Sequence, residues 1–421
     1  MKNIEFVINK LKEDSIFAGK DSSYASHNFH AFAAKFPPQL PRIFIENLTK
    51  EGDKVLDPMA GSGTALVESL LMNRRGIGFD IDPLAIHLSR IKTSSIRVDE
   101  VREEANKVIK NAIDNFNTEK AVKHELENGF DLKTKEFINY WFKEKTQKEL
   151  MALLLAINLI EDNKIKAFFK LVFSSIIITK SGGVSLAMDL AHSRPHRING
   201  KIPKNAIEAF STKLFKMLKG IENIPVKNYA VNIDKGDARN LPLKNDVIDL
   251  IITSPPYANA IDYMRAHKFS LVWFNNSIND LSVLRSKYIG SEKISGFNGI
   301  ELPQICEDTI EKVNKLDQNK SKILKKYFAE MKQVIYEMYR VLKNNKYCVI
   351  VVGNSTMRGY EVQTHKNIEI LGQSAGFTAI ANIERELDRN KRMMPISFNS
   401  QNDGIEQRMH KEYIIIFQKR E

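Results

Sequence analysis

Short β-branched runs alternate along this chain with longer stretches whose apolar residues recur every three or four positions. Lys54-Val55-Leu56-Asp57 reads as a strand and Pro58-Met59-Ala60-Gly61-Ser62-Gly63 as a tight glycine loop. Thr64 to Met72 reads as a helix with apolar positions at helical spacing. Arg75-Gly76-Ile77-Gly78-Phe79-Asp80 predicts a second strand, followed by Ile81-Asp82-Pro83. The result is a β-α-β unit with an acid 17 positions after Gly63. Ahead of it, residues 1 to 25 predict a short polar helix and a loop, and Leu40 to Leu48 an amphipathic helix. Between these lies His27-Asn28-Phe29-His30-Ala31-Phe32-Ala33-Ala34-Lys35-Phe36-Pro37-Pro38-Gln39-Leu40, for which core packing and a binding role both stay open.

Residues 95–228 interrupt the alternation. Val101 to Phe116, Thr134 to Ile160 and Lys204 to Leu218 read as helical, and Phe168 to Thr179 as a buried helix or strand. The sheet resumes at Ala230 to Ile233 and again at Val247 to Ile252. Residues 277–326 form a polar, lysine-rich second insertion. Tyr327 to Leu342 predicts a helix, Tyr347 to Asn354 a strand, 366–376 a helix, and Ala379 to Glu384 and Glu412 to Phe417 the closing strands. The expected class is α/β, a doubly wound Rossmann-like sheet with helical insertions. Its catalytic domain would span 26–94 and 229–421, divided by the helical insertion 95–228 and carrying the smaller one at 277–326.

Composition and charge change this picture in four ways. Hydrophobic residues at 43% and charged residues at 27% of 421 suit a soluble globular protein. No apolar run reaches membrane-span length, and Met1-Lys2-Asn3-Ile4-Glu5 lacks a signal-peptide core, so a cytoplasmic protein with no membrane partner is expected. Cys306 and Cys348 are too few and too scattered for a disulfide framework or zinc site, and no metal is expected. The net charge of +12 favours a polyanionic partner, nucleic acid first. Arg194, His196, Arg197 and Lys201, in a loop between helices, read either as a phosphate grip or as a solvated linker. Arg265, His267 and Lys268, with Trp273, suit a basic, aromatic wall.

The glycine loop and Asp80 carry the first chemistry. Glycines let a backbone approach a ligand, and an acid ending the second strand accepts from ribose hydroxyls, so an adenosine-bearing cofactor is expected. A dinucleotide fingerprint requires a third glycine, where this chain has Leu66. Asp57 would repel a pyrophosphate and attract an ammonium group. Both features favour S-adenosyl-L-methionine, which has an ammonium and a sulfonium and no phosphate. Asp237, just past the third strand, is positioned to accept from an adenine amino group.

Thr253-Ser254-Pro255-Pro256-Tyr257 carries the second chemistry, directly after the buried run Val247 to Ile252. Prolines past a strand cannot donate, so their carbonyls stay free to accept. Ser254 adds an acceptor and Tyr257 a stacking face. Acceptors beside an aromatic plate suit the exocyclic amino group of a nucleobase, where they stabilise charge developing on nitrogen.

These residues resemble the motifs of S-adenosylmethionine-dependent amino-methyltransferases acting on DNA. Asp57-Pro58-Met59-Ala60-Gly61-Ser62-Gly63-Thr64 is similar to their cofactor motif, with Met59 where Phe is usual, and Ser254-Pro255-Pro256-Tyr257 to their catalytic motif. The serine form is typical of cytosine-N4 enzymes, whereas adenine-N6 enzymes more often carry Asp or Asn there. Lys35-Phe36-Pro37-Pro38 is similar to the family's amino-terminal cofactor motif. The resemblance covers most of 27–92 and 230–275, and 327–421 more loosely. It implies a methyltransferase sheet in which Lys35, Phe36 and Pro37 border the methionine end of the cofactor. Asp57 and Gly61, Ser62, Gly63 and Thr64 would wrap its amino acid moiety, with Pro58 adjoining. Asp80 and Ile81 would take the ribose, and Asp237 and Ala238 the adenine. Ser254 and the Pro255 carbonyl would hold the target amine, with Pro256 shaping the turn and Tyr257 stacking on a base flipped from double-stranded DNA. Target recognition is expected in 95–228, with 277–326 second, and a cognate restriction or defence protein is the implied partner class.

The expectation is methyl transfer to cytosine N4 without a covalent enzyme–base adduct. Ring methylation at C5 needs a cysteine nucleophile, and neither cysteine lies near either motif. The alternatives are adenine N6 in DNA, a guanine amino group in RNA, a small-molecule substrate, and a catalytically silent nucleic-acid-binding protein on the same sheet.

Overall fold

Mostly β-branched apolar runs, with a glycine-bearing strand and a polar edge strand, assemble a seven-stranded sheet in the computed structural model. The structure describes residues 3–17, 19–33, 35–179, 182–188, 195–222, 224, 229–258, 262–292, 300–387 and 411–421. The strands are β1 (Lys54–Asp57), β2 (Arg75–Asp80), β3 (Asn232–Lys235), β4 (Ile248–Thr253), β5 (Leu342–Gly353), β6 (Phe377–Glu386) and β7 (Lys411–Lys419). Their spatial order is β6-β7-β5-β4-β1-β2-β3. The five from β3 to β5 pair in parallel, and β7 runs antiparallel between β5 and β6. Chain order reverses between β1 and β4, and that seam is where ligands enter open α/β sheets.

Period-two alternation builds a core on each face of the sheet. Val55, Leu250, Ile252, Val349, Val351, Ile414 and Ile416 pack against the amino-terminal helices α1 (Ile4–Glu13) and α2 (Gln39–Leu48). Their neighbours Leu56, Ile251, Ile350, Val352 and Ile415 belong to the opposite core. That core is closed by the apolar stripe of a long helix over Gln318–Val341 and by another over Thr364–Ser374. Two further helices cross the amino half: α3 (Thr64–Leu71) and α4 (Pro83–Lys92). Asp82 caps α4, accepting from Leu84 N at 2.8 Å and Ala85 N at 3.3 Å, and Pro83 suits the first helical turn.

The insertion is helical: α5 (Val98–Thr118), α6 (Lys120–Asn128), α7 (Leu132–Trp141), α8 (Glu144–Asn158), α9 (Asn163–Ile177) and α10 (Ala206–Glu222). The run read as one helical stretch from Thr134 to Ile160 is two helices, because Phe142 is extended and buried between them. Phe168 to Thr179, left open between helix and strand, is helical in α9, with Asp162 capping its start. Phe168, Phe169 and Phe173 share one core with Leu84 and Leu88 of α4, and with Met264, Phe269 and Trp273 in and after α11 (Tyr263–Leu271). Thr134 Oγ1 accepts from Ile278 N at 3.1 Å, so α7 of the first insertion also touches the second.

Among the described residues no helix is long and apolar enough to cross a membrane. Both cysteines are free and buried.

Candidate active site at the carboxyl edge of the sheet

β1 ends at Asp57, which is 3% exposed. Its Oδ1 accepts from Thr253 Oγ1 at 2.7 Å and from Met59 N at 3.2 Å. β2 ends at Asp80, whose Oδ2 accepts from Gly61 N at 2.8 Å and Oδ1 from Asp82 N at 2.9 Å. The ribose acid of the sequence reading therefore also shapes the glycine loop. Gly61 (φ +49°) and Gly63 (φ +72°) hold left-handed backbone there. A Cβ on Gly63 would fall 2.7 Å from the Cβ of Ser89, so α3 starts where only glycine fits.

Neither Asp57 nor Asp80 has a salt-bridge partner among the described residues. Burial raises the Asp57 carboxyl to about 7 and Asp80 to about 6, and negative neighbours push each further in that direction. Two buried acids raised in this way form a site that gains from a cation or a pair of hydroxyl donors. A pyrophosphate would find repulsion. Leu66 removes the dinucleotide geometry too: a Cβ on Gly78 of β2 would lie 2.4 Å from Leu66 Cδ1, so the leucine fills the space over the strand.

Beneath the loop lies a polar cluster that the sequence reading passed over. Lys92 of α4, 1% exposed, donates to the Ser62 carbonyl. Glu68 of α3, fully buried, accepts from Tyr24 Oη at 2.6 Å and faces His27 Nε2 at 2.8 Å. Burial and the nearby Lys92 and Lys35 charges drive His27 down to about 2, so the imidazole is neutral and donates to Glu68. Ser26 Oγ donates to the Lys92 carbonyl at 2.7 Å, and Lys35 Nζ to the His27 carbonyl at 2.8 Å. The amino-terminal segment is thus bolted to the glycine loop through α3 and α4. Phe36 is buried in the core with α1 and α2, and the Pro37 carbonyl accepts from Leu40 N at 3.0 Å. A glutamate inside the apolar run of α3 was the available signal for this cluster.

Ser254 follows directly on Thr253, so the catalytic motif leaves the sheet beside Asp57. Pro255 is buried, and Ser254, Pro256 and Tyr257 are half-buried. Tyr257 Oη donates to Glu412 Oε1 on β7 at 2.9 Å, and the next residue's carbonyl, Ala258 O, accepts from Ser355 Oγ.

The remaining sequence-predicted residues fall at varied places. Pro58 is buried and Ile81 half-buried beside the loop. Ala238 packs into the core with Phe79, and Asp237 pairs with Arg239, whose Nη2 lies 2.6 Å from Oδ2. Burial works to raise the Asp237 pKa, but the Arg239 guanidinium outweighs it and leaves the carboxyl below its ordinary value. Arg194 lies outside the described residues, as does Ala34. His196 and Arg197 are exposed, and the Arg197 guanidinium sits 4.6 Å from the Tyr140 ring centre. Lys201 Nζ donates to the Ala187 carbonyl at 2.6 Å. With Lys143 and Phe142, Arg197 and Lys201 line an open cleft of about 490 Å³. Arg265 is exposed and paired with Asp262 at 3.0 Å, and Lys268 Nζ sits 5.0 Å from the Phe137 ring centre.

Two expectations are corrected. His267 is 5% exposed, with Nδ1 2.5 Å from Asp82 Oδ2 and its ring 5.1 Å from Phe32, so it has no free face for a phosphate. Trp273 is fully buried in the insertion's core and belongs to no surface wall.

A family model described as DNA methylase (N6_N4_Mtase) matches residues 9–90 and 248–421. The chain belongs to this N6/N4 DNA methylase family. The matched segments include β1, β2, β4 and both motifs, and leave out 91–247, which holds the helical insertion and β3. This DNA methylase is 24% identical over 416 residues to the Type II methyltransferase M.MvaI of Kocuria varians, covering 93% of this chain and 90% of that one. It is 23% identical over 383 residues to the Type II methyltransferase M.AvaI of Anabaena variabilis, covering 82% and 77%. A Thermus thermophilus protein described as a DNA modification methylase, solved with S-adenosyl-L-methionine, matches at 18% identity. That match covers 44% of this chain and 54% of the other, with a TM-score of 0.23.

As a DNA methyltransferase of this family the enzyme uses S-adenosyl-L-methionine. The residues present fit that cofactor: two buried acids, without a salt-bridge partner among the described residues, suit its ammonium and hydroxyl groups, and they stand on either side of a left-handed glycine loop.

Proposed function

We propose that the enzyme methylates the exocyclic N4 of cytosine in double-stranded DNA by direct transfer, on a base turned out of the duplex. The observation that carries the reading is the Thr253–Asp57 hydrogen bond, which puts the amine-binding motif and the cofactor acid on adjacent strand ends. When bound, S-adenosyl-L-methionine supplies an electrophilic methyl carbon on a sulfonium. The chain's own residues do the rest. Asp57 and the loop from Gly61 to Thr64 hold the amino acid end, Asp80 the ribose and Asp237 the adenine, while Lys35, Phe36 and Pro37 border the methionine side. Ser254 Oγ and the Pro255 carbonyl accept the two amine hydrogens and localise charge on nitrogen, and Tyr257 stacks on the base.

A hydroxyl in the first position of the motif favours cytosine. Neither buried cysteine is a nucleophile: burial pushes Cys306 up to about 12 and Cys348 higher still. The exposed His196 and Arg197, with Lys201, Arg265 and Lys268, are the phosphate-contacting candidates, and the cleft beside Arg197 supports the helical insertion as the reader of sequence. A nuclease recognising the same DNA sequence is the fitting partner.

The test is to incubate the purified protein with labelled S-adenosyl-L-methionine and mixed-sequence DNA, then digest to nucleosides for mass spectrometry. N4-methylcytosine is expected. N6-methyladenine would overturn the inference from Ser254 and leave the fold and cofactor site intact.

A further inference from the structure

Lys92 ends α4 with its side chain turned inward. A lysine in the last turn of a helix ordinarily keeps its ammonium in water, where it also meets the negative end of the helix dipole. Lys92 is instead 1% exposed, and its Nζ donates to the Ser62 carbonyl in the glycine loop. Among the described residues no carboxylate lies within ion-pair distance of it. Glu68, the acid of the cluster beneath the loop, is engaged by Tyr24 and His27, with Arg42 Nη1 3.7 Å away. Burial and the Lys35 charge hold the Lys92 amine well below its ordinary pKa, and Glu68 works in the opposite sense.

Such a residue destabilises the fold that contains it. A buried amine with one carbonyl partner recovers little of its lost hydration, whereas a methionine of the same length packs there without that penalty. What the lysine supports is the loop. Asp80 Oδ2 holds Gly61 through its N–H at 2.8 Å, and Lys92 holds the next residue, Ser62, through its carbonyl. Gly63 N donates to the Ala60 carbonyl at 2.7 Å, and the Ser62 and Thr64 hydroxyls meet at 3.0 Å. The left-handed turn is therefore gripped at successive residues. Lys92 also accepts at its own carbonyl from Ser26 Oγ at 2.7 Å, so one residue meets both the loop and the amino-terminal segment.

We propose that Lys92 is a positioning residue for the amino acid end of the cofactor: by holding the Ser62 carbonyl, it fixes the turn from Gly61 to Thr64 that wraps that end. The proposal rests on the reading of this loop as the amino-acid-binding part of the site. Loss of the lysine then acts on one end of the ligand and leaves the ribose and adenine contacts in place.

The experiment uses two probes that share an adenosine and a thioether, S-adenosyl-L-homocysteine and 5′-methylthioadenosine. Only the first has the amino acid end. Isothermal titration measures both on the full-length wild type, Lys92→Met and Lys92→Leu, with thermal unfolding of each protein. The wild type is expected to bind S-adenosyl-L-homocysteine at least about tenfold more tightly than the truncated probe. Lys92→Met should lose about tenfold on S-adenosyl-L-homocysteine, the scale of one lost hydrogen bond to the loop, and nothing on 5′-methylthioadenosine. Its unfolding midpoint is expected at or above the wild-type value, because a buried amine has gone. Equal losses on both probes would mean a general role in the fold and would overturn the proposal, as would an unchanged preference for S-adenosyl-L-homocysteine. Where Lys92→Met does not fold, Lys92→Leu carries the same expectation, and failure of both to fold assigns the lysine to stability alone and refutes the proposal. A wild type that binds both probes equally removes the reading of the loop, and the proposal with it.

Discussion

Thr253 donates a 2.7 Å hydrogen bond to Asp57 across the seam where β4 meets β1. Thr253 is fully buried and Asp57 nearly so, and the catalytic motif begins at the next residue. One hydrogen bond therefore registers the Ser254 loop, proposed to take the target base, against Asp57, proposed to take the cofactor. Thr253→Val keeps the volume and removes the donor. With only the Met59 N–H left on Asp57, cofactor affinity is expected to fall by about tenfold, the worth of a hydrogen bond to a charged group. Isothermal titration at pH 8 checks this, and an unchanged Kd would remove the link.

Cofactor binding is expected to depend on pH with a definite sign. Asp57 titrates at about 7 in the free protein because burial penalises its charge. A ligand carrying an ammonium binds the ionised form, so affinity is full above that value and falls as pH drops through it, approaching tenfold per unit. Titrations between pH 8.5 and 5.5 should show the loss, and Asp57→Asn should flatten the profile at a lower affinity. A flat wild-type profile would mean that Asp57 does not meet the ammonium.

Gly78 and Leu66 should behave as a coupled pair. Gly78→Ala drives a methyl to within 2.4 Å of Leu66 Cδ1, overpacking a site where Leu66 is fully buried. The cost expected is ~1–3 kcal/mol, seen as a lower unfolding midpoint. Leu66→Ala alone leaves a cavity, yet added to Gly78→Ala it should recover part of the stability. Strict additivity in the denaturant midpoints would contradict the contact.

Much of this was legible because local pattern and tertiary role agree. The strands β1, β4, β5 and β7 are apolar, mostly β-branched runs, β2 is a short glycine-bearing strand after a turn, and the glycine loop and Asp80 stand at fixed spacing along one stretch of chain. The misread residues are those where tertiary contact decides. His267 sits beside Arg265 and Lys268 in sequence, but at helical spacing it shares a face with Met264 and Leu271, and that face is buried. Helix α6 escaped notice because Lys120–Asn128 buries only Val122. Glu412 lies 155 positions beyond Tyr257, and only the antiparallel pairing of β7 with β5 brings it there. Lys92 stands in the last turn of a helix, where a basic residue gives no signal in sequence, yet its side chain lies buried under the Ser62 carbonyl.

The central claim is that one edge of the sheet holds two separable sites, acids for the cofactor and Ser254 for the target amine. Ser254→Ala tests it most directly, with cofactor affinity and DNA methylation measured on the same preparation. The account predicts an unchanged Kd for S-adenosyl-L-methionine and a turnover reduced by about 10² or more, the scale of losing one transition-state partner. Wild-type turnover in Ser254→Ala, with the cofactor still bound, would contradict it.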